Sequence, residues 1–233
     1  MEFTLLGSVA IAVVIMYGVL LFEGGRTNAA DCTKDVWDAL IAAVVVGVVI
    51  GRLTAMISAG TSPLSHPGDI LIVRAGVDTI AASVAAVATY SFVTRNDPWW
   101  LADAAAPAAI AGLAGWHGGC IVRDACLGTP SDLPWAVAQT GSLVSRHPVE
   151  IYTALLLLVT AGLTIWWKLH RPRPGVVAAL GVASVATARL VTEPLRLGLG
   201  GDLLWWYTIA LVTALAVLAL RLRRNTEKSR HPI

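Results

Sequence analysis

The sequence predicts an all-α fold, a polytopic membrane bundle of about seven transmembrane helices, and three observations lead there. Of the 233 residues, 56% are hydrophobic and only 14% charged, with a mean hydropathy of +0.71, well away from the balance of a soluble domain. Seven apolar runs, roughly 4–22, 37–59, 69–94, 99–117, 149–169, 175–197 and 203–222, each approach the ~20 residues that cross a bilayer core. Lysine and arginine then alternate in the sense of the positive-inside rule. With Arg221, Arg223, Arg224, Lys228 and Arg230 cytoplasmic, seven spans put Arg26, Lys34, Arg95, Lys168, Arg171 and Arg173 on the same side, and leave Arg123, Arg146 and Arg196 outside. The expectation is one integral membrane domain over 1–233 with a short basic tail at 221–233, N-terminus out and C-terminus in.

Taken in order, the first run carries Tyr17 as its one polar handle, the ordinary use of which is interfacial packing. It lacks a basic n-region and a small-residue cleavage pattern, so it is expected to stay as a helix rather than leave as a signal peptide. A short polar loop, 23–36, leads to the second run, where Arg52 follows Gly51. An arginine at membrane depth costs roughly 2.5–3.5 kcal/mol on insertion scales, so it faces a cavity or a partner, or snorkels to the nearby outer surface. In the third run Arg74 and Asp78 are four apart and share a helical face, a self-neutralising pair. The fourth opens after Asp97-Pro98-Trp99-Trp100 and holds Asp103 and a mid-helix Pro107 among alanines and glycines. Its small residues predict a buried, closely packed helix, kinked by the proline.

Residues 115–152, GWHGGCIVRDACLGTPSDLPWAVAQTGSLVSRHPVEIY, are the polar centre of the chain. GWHGGCIV predicts a helix that breaks at Gly118-Gly119, its irregular backbone held inside the protein, with His117 at the break. A histidine there, six residues before Arg123-Asp124, is a candidate for function as well as for a structural role. Cys120 and Cys126 match no zinc spacing; they fit either a disulfide at an oxidising face or, the preferred reading, two small apolar residues in a packed loop. Arg146-His147-Pro148 precedes the fifth run, whose Glu150 is accounted for by the helix dipole. In the sixth, Arg189, Glu193 and Arg196 share one face near the outer leaflet. Two arginines against one glutamate leave positive charge there, which suits a phosphate. The last run starts at Asp202 and carries Trp205, Trp206 and Tyr207 as an aromatic belt.

The order GWHGGCIVRDACLGTPSDLPW, RHPVEIYTALL and ARLVTEPLR before a final apolar helix resembles the bacterial prolipoprotein diacylglyceryl transferases. Their signature runs roughly G-R-x-G-(N/C)-F-x-N-G-x-x-x-G-R-P-T-D-L-P-W, then R-H-P-x-Q-L-Y-E-A and R-x-x-x-E-F-x-R. Gly51-Arg52 is similar to a G-A-R of the family's second helix, and His66-Pro67-Gly68-Asp69-Ile70-Leu71 to its H-P-x-x-I-L. The resemblance implies seven spans in the orientation above, in a bacterial cytoplasmic (inner) membrane. It implies transfer of diacylglyceryl from phosphatidylglycerol to the thiol of a lipobox cysteine in a preprolipoprotein, with glycerol phosphate released. Such chemistry needs cations for the leaving phosphate and a base for the thiol. His117, Arg189 and Glu193 are the expected catalytic residues, and Arg52, Arg123, Asp124, Arg146 and Arg196 the expected substrate-binding ones. No metal, cofactor or nucleic-acid partner is expected.

The departures set a second hypothesis beside the first. The family's H-G-G on the third helix falls at Ala81-Ala82-Ser83, the arginine of G-R-x-G is His117, an acidic position is Ala125, and a tyrosine one turn before Arg189 is Val185. A long arm between helices is also absent. Unreplaced, these losses predict slow transfer, or a catalytically degenerate relative that binds lipid as a structural or regulatory subunit of a membrane complex. Turnover at ordinary family rates, abolished by His117→Ala, would instead show that His117 has taken over the missing roles.

Overall fold

The computed structural model describes residues 4–27, 30–65, 77–95, 98–124, 126, 128–170, 174–197 and 203–230. The helices are α1 Thr4–Thr27, α2 Ala30–Ser58, α3 Thr79–Val93, α4 Pro98–Gly118, α5 Cys120–Arg123, α6 Val149–His170, α7 Val176–Thr192 and α8 Leu203–Arg230. The sole sheet among the described residues is a two-residue antiparallel pairing of β1 Val137–Ala138 with β2 Ser145–Arg146. Among the described residues six helices are long and apolar enough to cross a membrane, and α3 is a shorter apolar helix.

Two boundaries differ from expectation. The polar loop at 23–36 is mostly helix, since α1 runs on to Thr27 and α2 begins at Ala30. Apolar composition marks hydrocarbon depth, whereas a helix, its backbone bonds already satisfied, continues into the headgroups without cost from polar side chains. The third run begins as helix only at Thr79, because Asp78 turns outward and caps it, Oδ1 accepting from the Ala81 amide at 2.8 Å. Aspartate is among the favoured N-caps since its oxygen satisfies an amide that has no partner inside the helix. Arg74, its expected partner, and His66–Leu71 lie outside the described residues.

Helix α4 is the axis of the bundle. Of its membrane window, 61% is buried, against 6% for α8, and α1, α6 and α7 all pack on it. Its small side chains allow this. Ala104, Ala105 and Ala108 meet Met16 and Leu20 of α1 and Val36 and Leu40 of α2, while Ile110, Ala111 and Ala114 meet Leu157 and Ala161 of α6 and Ala188 of α7. Without a hydrophobic driving force between helices in lipid, such close backbone approach supplies the attraction. The approach is tightest at Gly119, just past α4, where an added Cβ would lie 2.6 Å from Ser8 Oγ and 3.0 Å from Ser8 Cα of α1. The α2–α3 pair is built similarly: a Cβ on Gly47 or Gly51 would fall 2.9 Å from Ala82 O or 2.8 Å from Asp78 O.

Polar ties close the end of α4 opposite His117. Asp103 accepts from the backbone amides of Gly175 and Ala178, each at 2.7 Å, so the start of α7, which has no side-chain cap of its own, is capped from α4. Lys168 of α6 donates to Glu23 of α1 at 2.8 Å and to the Ala104 carbonyl at 3.2 Å. Arg221 of α8 lies 3.7 Å above the Trp99 ring. Five helices, α1, α4, α6, α7 and α8, are thereby tied together here, which constrains the relative positions of the residues at the other end.

Candidate functional site

At that other end α4 stops at Gly118, Gly119 makes a turn, and α5 follows for one turn, the break expected at Gly118-Gly119. His117 is therefore held by the last turn of α4, and it is buried. The first turn of α6 brings Glu150 against it, also buried. His117 Nδ1 is hydrogen-bonded to Glu150 Oε2, and Arg196 Nη2 pairs with the other carboxylate oxygen, Oε1. One carboxylate thus joins the broken end of α4 to the segment after α7.

Helix α7 ends in a 3₁₀ turn over Glu193–Leu195, where Pro194 cannot donate to a continuing helix. That turn sets Glu193 between the two arginines: Oε2 lies 3.4 Å from Arg189 Nη2 and 3.8 Å from Arg196 Nη1. Arg189 is buried and donates through Nε and Nη2 to the Tyr207 hydroxyl at 3.2 and 3.1 Å. The series His117, Glu150, Arg196, Glu193, Arg189, Tyr207 is therefore continuous and built from α4, α6, α7 and α8. Arg189 Nη1 is buried and has no hydrogen-bond partner among the described residues, an open donor of the kind buried sites seldom leave unfilled; Glu193 Oε2 has ion-pair contacts alone.

The structure thus brings together His117, Arg189, Glu193 and Arg196. Arg146 and Asp124 are elsewhere, lining a cleft of about 180 Å³ with Cys120, Cys126 and Gln139. There Asp124 accepts from the Thr140 amide at 2.8 Å and Arg146 donates to the Gly128 carbonyl at 3.3 Å. Arg123 closes α5, and its side chain lies outside the described residues. Arg52 is buried on α2 rather than snorkelling outward.

Two expectations are corrected. Cys120 and Cys126 are joined in a disulfide and do not pack as free apolar residues. After α5 the chain turns back through Asp124 in the left-handed region, φ 50°, which brings the two Cα atoms to 5.0 Å, inside bridging range. The positive balance at Arg189, Glu193 and Arg196 is cancelled by Glu150, a second carboxylate that distance in sequence concealed. With His117 neutral the cluster carries no net charge.

Glu150 and Tyr207 are the residues that sequence reasoning missed. The sequence favours the helix dipole as the account of Glu150, although it stands at the glutamine of R-H-P-x-Q-L-Y, directly after the motif's most recognisable residues. Tyr207 was counted with Trp205 and Trp206 as interfacial. Only the packing of α8 on α7 shows that its hydroxyl reaches Arg189, in a chain where Val185 stands at the expected tyrosine position.

Comparison with known proteins identifies the family. The family model described as "LGT: Prolipoprotein diacylglyceryl transferase" matches residues 3–223. A phosphatidylglycerol–prolipoprotein diacylglyceryl transferase of Paracidovorax citrulli (strain AAC00-1) is 29% identical over 238 residues, covering 90% of this chain and 88% of that one. One of Bordetella avium (strain 197N) is 30% identical over 169 residues, covering 69% and 64%. One of Polynucleobacter asymbioticus (strain DSM 18221 / CIP 109841 / QLW-P1DMWA-1) is 28% identical over 234 residues, covering 93% and 88%. With its matched length, its long apolar helices and its substituted positions, the chain belongs to the prolipoprotein diacylglyceryl transferase family, as a divergent multi-pass member of the bacterial inner membrane.

Proposed function

We propose that the protein transfers the diacylglyceryl group of phosphatidylglycerol to the thiol of a lipobox cysteine, with His117 as the base and the arginines of the cluster as the phosphate site. The observation that carries this reading is the buried, unpartnered Nη1 of Arg189. An N–H left unpaired in a buried position costs about 1–3 kcal/mol or more, and a phosphate oxygen satisfies it. Arg196 adds a second cation, and Glu193 holds both arginines in position. Asp124, Arg146, Arg123 and Arg52 are assigned to substrate binding, the first two in the cleft by which the acceptor peptide approaches. This reading takes seven spans, with the N-terminus and the cluster on the outer side.

In the transfer, His117 takes the thiol proton and the thiolate sulfur attacks the terminal glyceryl carbon of the lipid. The S–C bond forms as the C–O bond to phosphate breaks, and glycerol phosphate leaves with both electrons of that bond. The phosphodiester carries one negative charge and the departing monoester two, while the cluster gains one positive charge on His117. Stabilisation therefore grows along the reaction coordinate, which is the differential interaction that accelerates a step. Purified protein incubated with glyceryl-labelled phosphatidylglycerol and a lipobox peptide should label the peptide. Specific binding of the lipid with no labelling in any variant would mark the protein as a lipid-binding subunit and reject the transferase reading.

A further inference from the structure

Glu150 touches the base candidate, an arginine of the phosphate site, and nothing that a dipole argument requires. Its two oxygens are divided, Oε2 to His117 Nδ1 and Oε1 to Arg196 Nη2, and the whole side chain is buried. A carboxylate that is fully used by its neighbours is a poor candidate for direct contact with an anionic lipid. It is well placed to fix the state of the imidazole.

We infer that Glu150 is a positioning residue: it holds the proton of neutral His117 on Nδ1 and thereby presents Nε2 as the acceptor for the thiol proton. An ionised carboxylate can only accept, so the nitrogen facing it must be the donor, and in a neutral ring the other nitrogen is then the acceptor. When Nε2 takes the thiol proton, the imidazolium forms beside a negative charge already in place, the role that a carboxylate plays beside a catalytic histidine on other folds. Arg196 ties the same carboxylate to the phosphate site, so the base and the anion pocket are kept in fixed relation. The inference rests on the proposal that His117 is the base.

The charged and titratable groups around His117 define what a titration reads. Of the elements packed on α4, α6 brings Glu150, α7 brings Arg189 with Glu193 and Arg196 in the turn after it, and α2 carries buried Arg52. Glu23 of α1 and Lys168 of α6 meet each other near Ala104, at the opposite end of α4.

The test is ¹⁵N-histidine NMR of the full-length protein in detergent, with the His117 resonances assigned by their disappearance in His117→Gln. Neutral His117 should show its proton on Nδ1. Glu150→Gln should lower the pH at which the ring titrates by about 1–3 pH units, since an adjacent negative charge has been removed, and Glu150→Asp should restore part of that change. In the transfer assay the Gln variant should lose about 10²–10⁴ in kcat with KM for phosphatidylglycerol little changed. The limb on which rate rises with pH should move to lower pH. A proton on Nε2 in the wild type, or an unaltered titration in Glu150→Gln, overturns the inference. Absence of transfer by the wild type, with the NMR result standing, overturns the transferase reading and leaves the placement of the proton intact.

Discussion

The Arg189 guanidinium sits over Tyr207, 5.2 Å from the ring centroid, while two of its N–H groups donate to that tyrosine's hydroxyl. The hydroxyl is therefore what orients the buried cation, and the ring is a second, weaker support. Tyr207→Phe keeps the ring and removes the acceptor. A hydrogen bond to a charged group is worth about 1.5–3 kcal/mol, so a thermal-melt assay in detergent should show a loss of that order. Phosphatidylglycerol binding should weaken about tenfold or more, because Arg189 is no longer held in place. Unchanged lipid affinity in Tyr207→Phe would mean that Arg189 does not meet the phosphate.

The close approach of α1 to α4 makes a separate prediction. Gly119→Ala places a Cβ 2.6 Å from Ser8 Oγ, so one helix must shift, and overpacking of this kind costs about 1–3 kcal/mol. Ser8→Gly on the same background removes the Oγ and Cβ contacts and should recover part of the loss. Additive destabilisation in a melting series of the two single variants and the double would show that the helices are not in contact there.

The disulfide is checked by thiol counting. With Cys120 and Cys126 bonded, denatured protein blocked with maleimide before reduction should take up one equivalent, at Cys32, and three after reduction. Three equivalents without reductant from membranes prepared under thiol-trapping conditions would contradict the pairing.

The charge asymmetry makes a prediction about topology. On a cysteine-free background, cysteine at Ser131 should react with an impermeant reagent in intact cells, and cysteine placed after Arg221 only after the membrane is opened. Labelling of both positions from one side would reject an odd number of spans between Ser131 and the tail, and with it the seven-span topology.

The bundle was legible in the sequence because lipid imposes a simple composition on any segment that crosses it. Hence the runs of α1, α2, α4, α6, α7 and α8 were recognisable, as was the break at Gly118-Gly119. The ends of helices were less so: polar residues such as Glu23 and Asp35 read as loop, yet a helix leaving the bilayer tolerates them. Within the site, Arg189, Glu193 and Arg196 were legible because helical spacing alone puts them on one face. Glu150 lies 33 residues from His117 and Tyr207 lies 18 residues from Arg189, across turns whose geometry no local pattern specifies. The charge balance was misjudged for the same reason, since the carboxylate that cancels it arrives from another helix.

We propose that this cluster is a working transfer site in which His117 replaces the family's histidine. It is tested most directly by the initial rate of diacylglyceryl transfer from labelled phosphatidylglycerol to a lipobox peptide, for the wild type, His117→Ala and Arg189→Ala. The prediction is measurable transfer by the wild type, reduced about 10²–10⁴-fold in His117→Ala, with Arg189→Ala losing about 10²–10³. Transfer by His117→Ala at the wild-type rate, or none by the wild type where a family transferase labels the same peptide, would contradict it.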